Sequence, residues 1–279
     1  MQRRTVTTGL FMEQQYNGKK KIMEARLASA RSKQQEYGLS PRQLGEIAEY
    51  QTLFQAYRWG YTTSKIIQTL LSRTSGGYLD KLTEKGLLVK TPTQSGYPRY
   101  FYSLSPDGLA KVQARQDELL NYSEINPHRV NQSILNHNLI CQEVTLLAFK
   151  AQQISHYQTE RQFFVEGLPK VPDCIWDVWE DERIGVEIEL TQKWGIDLHK
   201  FMLGIWETLE NVDNPLALKR FIIFSSSPAI LKNYKSAISP GKFLPKYAKD
   251  ERGRWTIVKQ LEVPEWLSSR VDFKLIERV

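Results

Sequence analysis

The chain has 279 residues, with 38 Lys/Arg against 31 Asp/Glu, a formal net charge of +7 and a pI near 9.2. At 41% hydrophobic and 25% charged it has the balance of a globular protein, which excludes wholesale disorder, a collagen and a membrane bundle. Its apolar stretches, such as Phe221–Phe224, fall far short of the roughly 20 residues that span a bilayer, so no membrane insertion is expected.

The first segment, residues 1–36, is a polar arm. It holds 8 basic and 3 acidic residues, among them Lys19, Lys20 and Lys21. It lacks the apolar core of a signal peptide. With only two cysteines, Cys141 and Cys174, and no disulfide framework or zinc spacing, a reducing cytoplasm is expected. Residues 17–36 are rich in helix formers, and fit either a helix that orders on a partner or a loose tail.

A clear helix start follows at Ser40-Pro41, an N-cap before a proline at the first helical position. Leu44, Ile47, Ala48, Leu53 and Phe54 continue at helical spacing up to a break at Trp59-Gly60. Thr62 or Thr63 caps a second helix through Ile66, Ile67, Leu70 and Leu71. After the turn at 74–77, the segment GYLDKLTEKGLL reads as a third, stopped by Gly86. Two extended runs, 87–91 and 99–104, are joined by TPTQSGYP, and SPDGLAKVQ reads as the next helix.

This order closely resembles a winged helix-turn-helix over about residues 40–115. The resemblance implies contact with duplex DNA through Ser72, Arg73, Thr74, Ser75, Tyr78 and Lys81 around the recognition helix. Gln94, Tyr97 and Arg99 would act at the wing. Charge agrees with an anionic partner at this end: residues 1–125 hold 18 basic against 11 acidic residues, whereas 126–279 hold 20 of each. The alternative is a merely solubilising surface.

Residues 127–153 read as one long helix with a wide apolar face, and the domain boundary falls near 120–127. The period then shortens. Strands are expected over 161–166, 173–179 and 184–190, a helix over 195–210, a buried strand over 220–225, a helix over 228–237, and extended segments at 255–263 and 273–278. That alternation specifies an α/β domain with a mixed central sheet.

Within VPDCIWDVWEDERIGVEIELTQK the period of two sends Val186, Ile188 and Leu190 to one face and Glu187 and Glu189 to the other. Asp173 opens the neighbouring strand. Carboxylates gathered in this way need a cation among them, and a hard divalent ion is the natural occupant. Such an ion activates water and stabilises charge on a phosphate during phosphodiester cleavage.

The spacing Pro-Asp, fourteen residues, Glu-x-Glu, with Lys193 beyond, resembles restriction-endonuclease-like nucleases of the PD-(D/E)xK class. The resemblance implies Mg²⁺ or Mn²⁺ on Asp173 and Glu187. Glu189 stands where that class most often has its lysine, and is a further candidate ligand. Lys193 or Lys200 would then supply the missing cation, provided that one helix face holds both. Glu160 matches the upstream acid, and Gln192 is placed for a phosphate or a metal-bound water.

The full order of modules also resembles the replication-relaxation family and plasmid mobilisation relaxases with a restriction-endonuclease-like core. It implies a cytoplasmic protein that recognises a transfer or replication origin and nicks one strand. Relaxosome or coupling proteins, and single-stranded DNA after nicking, are its implied partners. The nucleophile is either water or a tyrosine such as Tyr157, Tyr234 or Tyr247. The competing reading is a DNA-binding accessory protein with a degenerate core, for which Glu189 is the best support; a regulator with a ligand-binding C-terminal domain comes third. His137 reads as structural, His199 as a candidate neighbour of the site, and Trp194 as either packing or a stacking platform for an unpaired base.

Overall fold

The computed structural model describes residues 38–163, 168–179 and 182–276. The basic arm with Lys19, Lys20 and Lys21 lies outside the described residues, as do residues 164–167, Glu180, Asp181 and residues 277–279. Residues through Gln51 and residues from Thr52 onward are two compact units. Those described in the first, 38–51, hold the start of helix α1 (Pro41–Trp59). There the Ser40 N–H donates to Gln43 Oε1 (2.8 Å) and the Gln43 N–H to Ser40 Oγ (3.3 Å), closing the first turn reciprocally.

In the second unit α1 continues into α2 (Ser64–Leu71), α3 (Tyr78–Glu84), β1 (Leu88–Pro92), β2 (Tyr100–Leu104) and α4 (Pro106–Gln113). Thr63, not Thr62, caps α2 by accepting from the Ile66 N–H. Strands β1 and β2 form an antiparallel hairpin. Leu53, Tyr57, Ile67, Leu79, Leu82 and Leu104 fill the core between these helices and the hairpin.

The expected long helix starts later than its composition suggests. Asn126 and Asn131 cap two short 3₁₀ turns, Pro127–Arg129 and Gln132–Ile134, before α5 (Leu135–Lys150) begins. These asparagines offer their side-chain oxygens to the backbone two residues on, which favours turns over continuous helix.

The central sheet has the order β3-β4-β5-β6-β9: β3 (His156–Thr159), β4 (Cys174–Val178), β5 (Glu182–Ile188), β6 (Leu218–Ser225) and β9 (Val271–Leu275). The first two pairings are antiparallel and the last two parallel, so the chain is an α+β protein with a mixed sheet. Helices α6 (Gly195–Glu210) and α7 (Pro228–Ala237) pack on one face with Ile175, Phe221 and Ile223. Helix α5 covers the other with Cys174, Val186, Ile188 and Ile222. Gly185 is required in β5, because a Cβ there would come within 2.6 Å of the Phe221 ring. A hairpin of β7 (Phe243–Lys249) and β8 (Trp255–Glu262) and a short α8 (Glu265–Arg270) lie between α7 and β9.

The first strand is a correction. It runs from His156 to Thr159, and Glu160–Gln162 is a 3₁₀ turn after it, not the start of a strand. Thr159 and Gln162 form a capping box that turns the chain. Among the described residues no helix is long and apolar enough to cross a membrane.

Candidate functional site

The end of β5 is where the sheet gathers charge. Pleating puts Glu187 and Glu189 on the α6/α7 face, opposite Val186 and Ile188. Both are buried, at 2% and 4% exposure. The Lys170 Nζ lies 2.7 Å from Glu187 Oε1. The angles of that pair are not those of a hydrogen bond, so Glu187 Oε1 remains a buried oxygen with no hydrogen-bond partner. Burial, then the negative charge of Asp173, push the Glu187 carboxyl well above the ordinary carboxylate range, and Lys170 opposes them.

Glu189 is satisfied differently. Lys193 pairs with its Oε1 and the Tyr234 hydroxyl donates to its Oε2 (3.0 Å). The same hydroxyl accepts from the Lys193 N–H (3.2 Å). The ammonium groups of Lys170 and Lys193 stand 5.5 and 4.6 Å from the ring centre of Phe201 on α6. One aromatic ring therefore spaces the two cations that face the two carboxylates.

Asp173 sits just before β4. Its carboxylate accepts from the Ile188 N–H (2.7 Å) and faces His137 Nε2 on α5 (3.2 Å). The His137 Nε2 also meets the Ile188 carbonyl (3.0 Å), and Nδ1 meets Asn138 Oδ1 (3.0 Å). Oxygen acceptors at both ring nitrogens favour the imidazolium. Burial pulls the His137 pKa down, but the hydrogen bond and charge of Asp173, with Asn138 and the Ile188 carbonyl, outweigh it and raise the value from 6.5 to about 9. One turn along α5, the Cys141 thiol lies 3.7 Å from that of Cys174, both free and buried.

Asp173, Glu187, Glu189 and Lys193 thus meet at one end of the sheet. Glu160 is exposed in the turn after β3 and shares a cavity with Asp173. Lys200 is not among them: its ammonium lies over the Trp255 ring. The shared helix face expected for Lys193 and Lys200 does not form, because α6 begins at Gly195 and Trp194 is its N-cap. His199 is likewise elsewhere, stacked on Tyr247 with Nδ1 3.0 Å from its hydroxyl. The Tyr157 hydroxyl donates to Gln55. Of the three tyrosines considered, only Tyr234 touches a site carboxylate. Trp194 is 71% exposed, so it is not core packing, and the Gln192 side chain turns back to the Lys193 carbonyl.

Lys170 carries no signal in the sequence, and nothing local marks Tyr234, one of three candidate tyrosines, as the partner of Glu189. Lys170 stands in an aperiodic loop before Pro172-Asp173, and Tyr234 reads as an ordinary apolar position of α7. Only the tertiary approach of loop and helix to β5 gives them their roles.

The residues fit a hard cation in part. Asp173 and Glu187 offer oxygens whose charges interact, one of them without a hydrogen bond. Among the described residues no group of three or more His, Cys, Asp or Glu side chains converges as a ligand set. A pair of carboxylates is the protein share usual for Mg²⁺, which takes its other ligands from water and substrate phosphate.

On the helix–hairpin module, Arg73, Thr74, Ser75, Lys81, Gln94, Tyr97 and Arg99 are exposed, Tyr97 at 80%. The Arg73 guanidinium lies 3.9 Å from the Tyr78 ring centre, and Tyr78 packs half-buried on the core. Lys90 is tied to Asp80 (2.7 Å), and Lys150 of α5 holds Ser72 Oγ and the Thr69 carbonyl. No family model, curated protein or solved structure matches the chain.

Proposed function

We propose that the chain is a cytoplasmic, metal-dependent, site-specific DNA-nicking protein of the relaxase kind, akin to the replication-relaxation family, acting at a transfer or replication origin. The observation that carries this reading is the meeting of Asp173 and Glu187 at the end of a mixed sheet, with Lys170 and Lys193 beside them. In this reading residues 52–113 act as a winged helix and the sheet domain as a PD-(D/E)xK core. Exposed Arg73, Thr74, Ser75 and Lys81 read the duplex, and Gln94, Tyr97 and Arg99 hold phosphates at the wing.

Asp173 and Glu187 would hold Mg²⁺ or Mn²⁺. The ion supplies activation of water and charge stabilisation at the phosphate. Lys170 replaces Lys200 as the cation nearest the pair, and Lys193 pairs with Glu189. The His137 imidazolium orients Asp173 against the Ile188 N–H. The Tyr234 hydroxyl is held by Glu189 and the Lys193 N–H, and burial raises its pKa, so water is the nucleophile in this reading.

The test is incubation of supercoiled plasmid carrying the cognate origin with Mg²⁺ or Mn²⁺. Wild type nicks it; Asp173→Ala and Glu187→Ala do not. Nicking that survives both substitutions removes the site assignment. A second reading, a non-catalytic DNA-binding accessory, is favoured by the compensation of Glu187 and Glu189 by lysines within the fold. Sequence-specific binding by wild type without any nicking would select it.

A further inference from the structure

The β7–β8 hairpin shows an aromatic and cationic face to solvent. Tyr247 pairs with Ile257 across it, and Lys249 with Trp255. Cross-strand partners and alternate residues share a face of a sheet, so these four stand side by side. Helix α6 meets the same face. His199 stacks on Tyr247 with ring centres 5.9 Å apart, and the Lys200 ammonium lies 2.9 Å from the centre of the Trp255 ring. Trp255 and Ile257 nevertheless remain 44% and 54% exposed.

Two cations share the Trp255 ring, since the Lys249 ammonium is 5.2 Å from its centre. Lys246 and Arg254 of the hairpin are paired, with Glu207 and Asp250. Lys200, Lys249, Arg252 and Lys259 form no ion pair among the described residues, and the last three are exposed. From Lys242 to Glu262 the chain holds 6 basic and 3 acidic residues, although residues 126–279 as a whole are balanced at 20 of each. Like charges gathered without an anion repel one another, and an anionic partner removes that cost.

An aromatic ring open to water beside unpaired ammonium groups matches one class of ligand. Single-stranded nucleic acid offers bases to stack and phosphates to pair, and proteins that hold it without reading its sequence combine those two features. A duplex hides its base faces and a simple polyanion has none, so neither uses the ring. We infer that this face of the hairpin binds single-stranded DNA, one base stacking on Trp255 and neighbouring phosphates meeting Lys200 and Lys249. The inference rests on the nicking reading for the source of that strand. Helix α6 begins beside the carboxylates, where Lys193 pairs with Glu189 and the next residue, Trp194, is 71% exposed. The element that borders the candidate site therefore also builds the hairpin face.

The full chain is titrated in EDTA, which keeps the strand intact, with a short fluorescein-labelled oligothymidylate and with an abasic strand of the same length. Wild type is compared with Trp255→Leu, Trp255→Phe and Lys249→Ala. Leu keeps an apolar side chain and removes the stacking plane, while Phe restores the plane. Trp255 and Lys249 are both exposed, so none of these changes disturbs the core.

Affinity for the oligothymidylate should fall about tenfold in Trp255→Leu and stay within about threefold of wild type in Trp255→Phe. Wild type should hold the abasic strand at least about tenfold more weakly. Lys249→Ala should make the log–log fall of affinity with salt shallower by about 0.7. Wild-type affinity in Trp255→Leu, an unchanged salt slope in Lys249→Ala, or an abasic strand held as tightly as the oligothymidylate each overturns the inference. A protein that still nicks its origin plasmid in Mg²⁺ then keeps the nicking reading. Binding that depends on Trp255 in a protein that does not nick overturns the nicking reading and leaves the surface in place.

Discussion

Replacing Glu187 with Gln separates what the fold wants from what the site needs. Glu187 is 2% exposed and its Oε1 makes no hydrogen bond. An unsatisfied buried polar group costs about 1–3 kcal/mol, and more when charged. Lys170 offsets part of this at 2.7 Å, but its side chain is 21% accessible, so water screens the pair. Gln keeps the shape and removes the charge, for a net gain of about 1 kcal/mol at pH 7 in EDTA. For a unit of this size that raises Tm by about 2–4 °C.

The sign follows from the raised carboxyl pKa. The stability tied to the Glu187 proton is full below the unfolded value near 4.5 and is lost as pH rises through the folded value. The two proteins should therefore converge below pH 4.5 and diverge above it. In Mn²⁺ the order reverses, because ion binding stabilises only the native wild type. Urea melts across pH, in EDTA and in Mn²⁺, read both effects. A Glu187→Gln protein less stable than wild type by more than about 1 kcal/mol in EDTA at pH 7 would refute the reasoning.

Three further outcomes are expected. His137, raised from 6.5 to about 9, contributes stability that is full below pH 6.5 and lost as pH rises through 9, so His137→Gln should flatten that loss in EDTA melts. The pKa difference caps the effect at about 3 kcal/mol, and partial exposure of the ring reduces it. Lys170→Ala should cut single-turnover nicking more than tenfold, as expected for removing a charge stabiliser, while Lys200→Ala, with its ammonium on Trp255, should leave the rate unchanged. Arg73→Ala should cost about 1–3 kcal/mol of cognate duplex affinity in anisotropy titrations and relax specificity, if the guanidinium reads a base.

Local signals carried much of the architecture. Pro41, Gly195–Glu210 and Pro228–Ala237 lie where capping and periodicity put them. The alternation at the end of β5 sets Glu187 and Glu189 opposite Val186 and Ile188, and the packing of those two apolar residues with Cys174 and Trp176 agrees. The first strand was illegible because HYQT is short and polar, and its partner β4 fixes it only through long-range pairing. The start of α5 was obscured by two asparagines whose capping role shows only once the backbone turns. The cations of the site illustrate the same limit: Lys193 was visible four residues from Glu189, whereas Lys170 reaches Glu187 across a loop that leaves no periodic trace.

The central claim is that Asp173 and Glu187 hold one divalent ion at which a DNA strand is cut. Anomalous scattering from crystals of the full chain soaked in Mn²⁺ tests it most directly. The account predicts a Mn²⁺ peak beside the Asp173 and Glu187 carboxylates, lost in Asp173→Ala. A protein that nicks its origin in Mn²⁺ yet shows no peak there, with Lys170 still on Glu187, would contradict it.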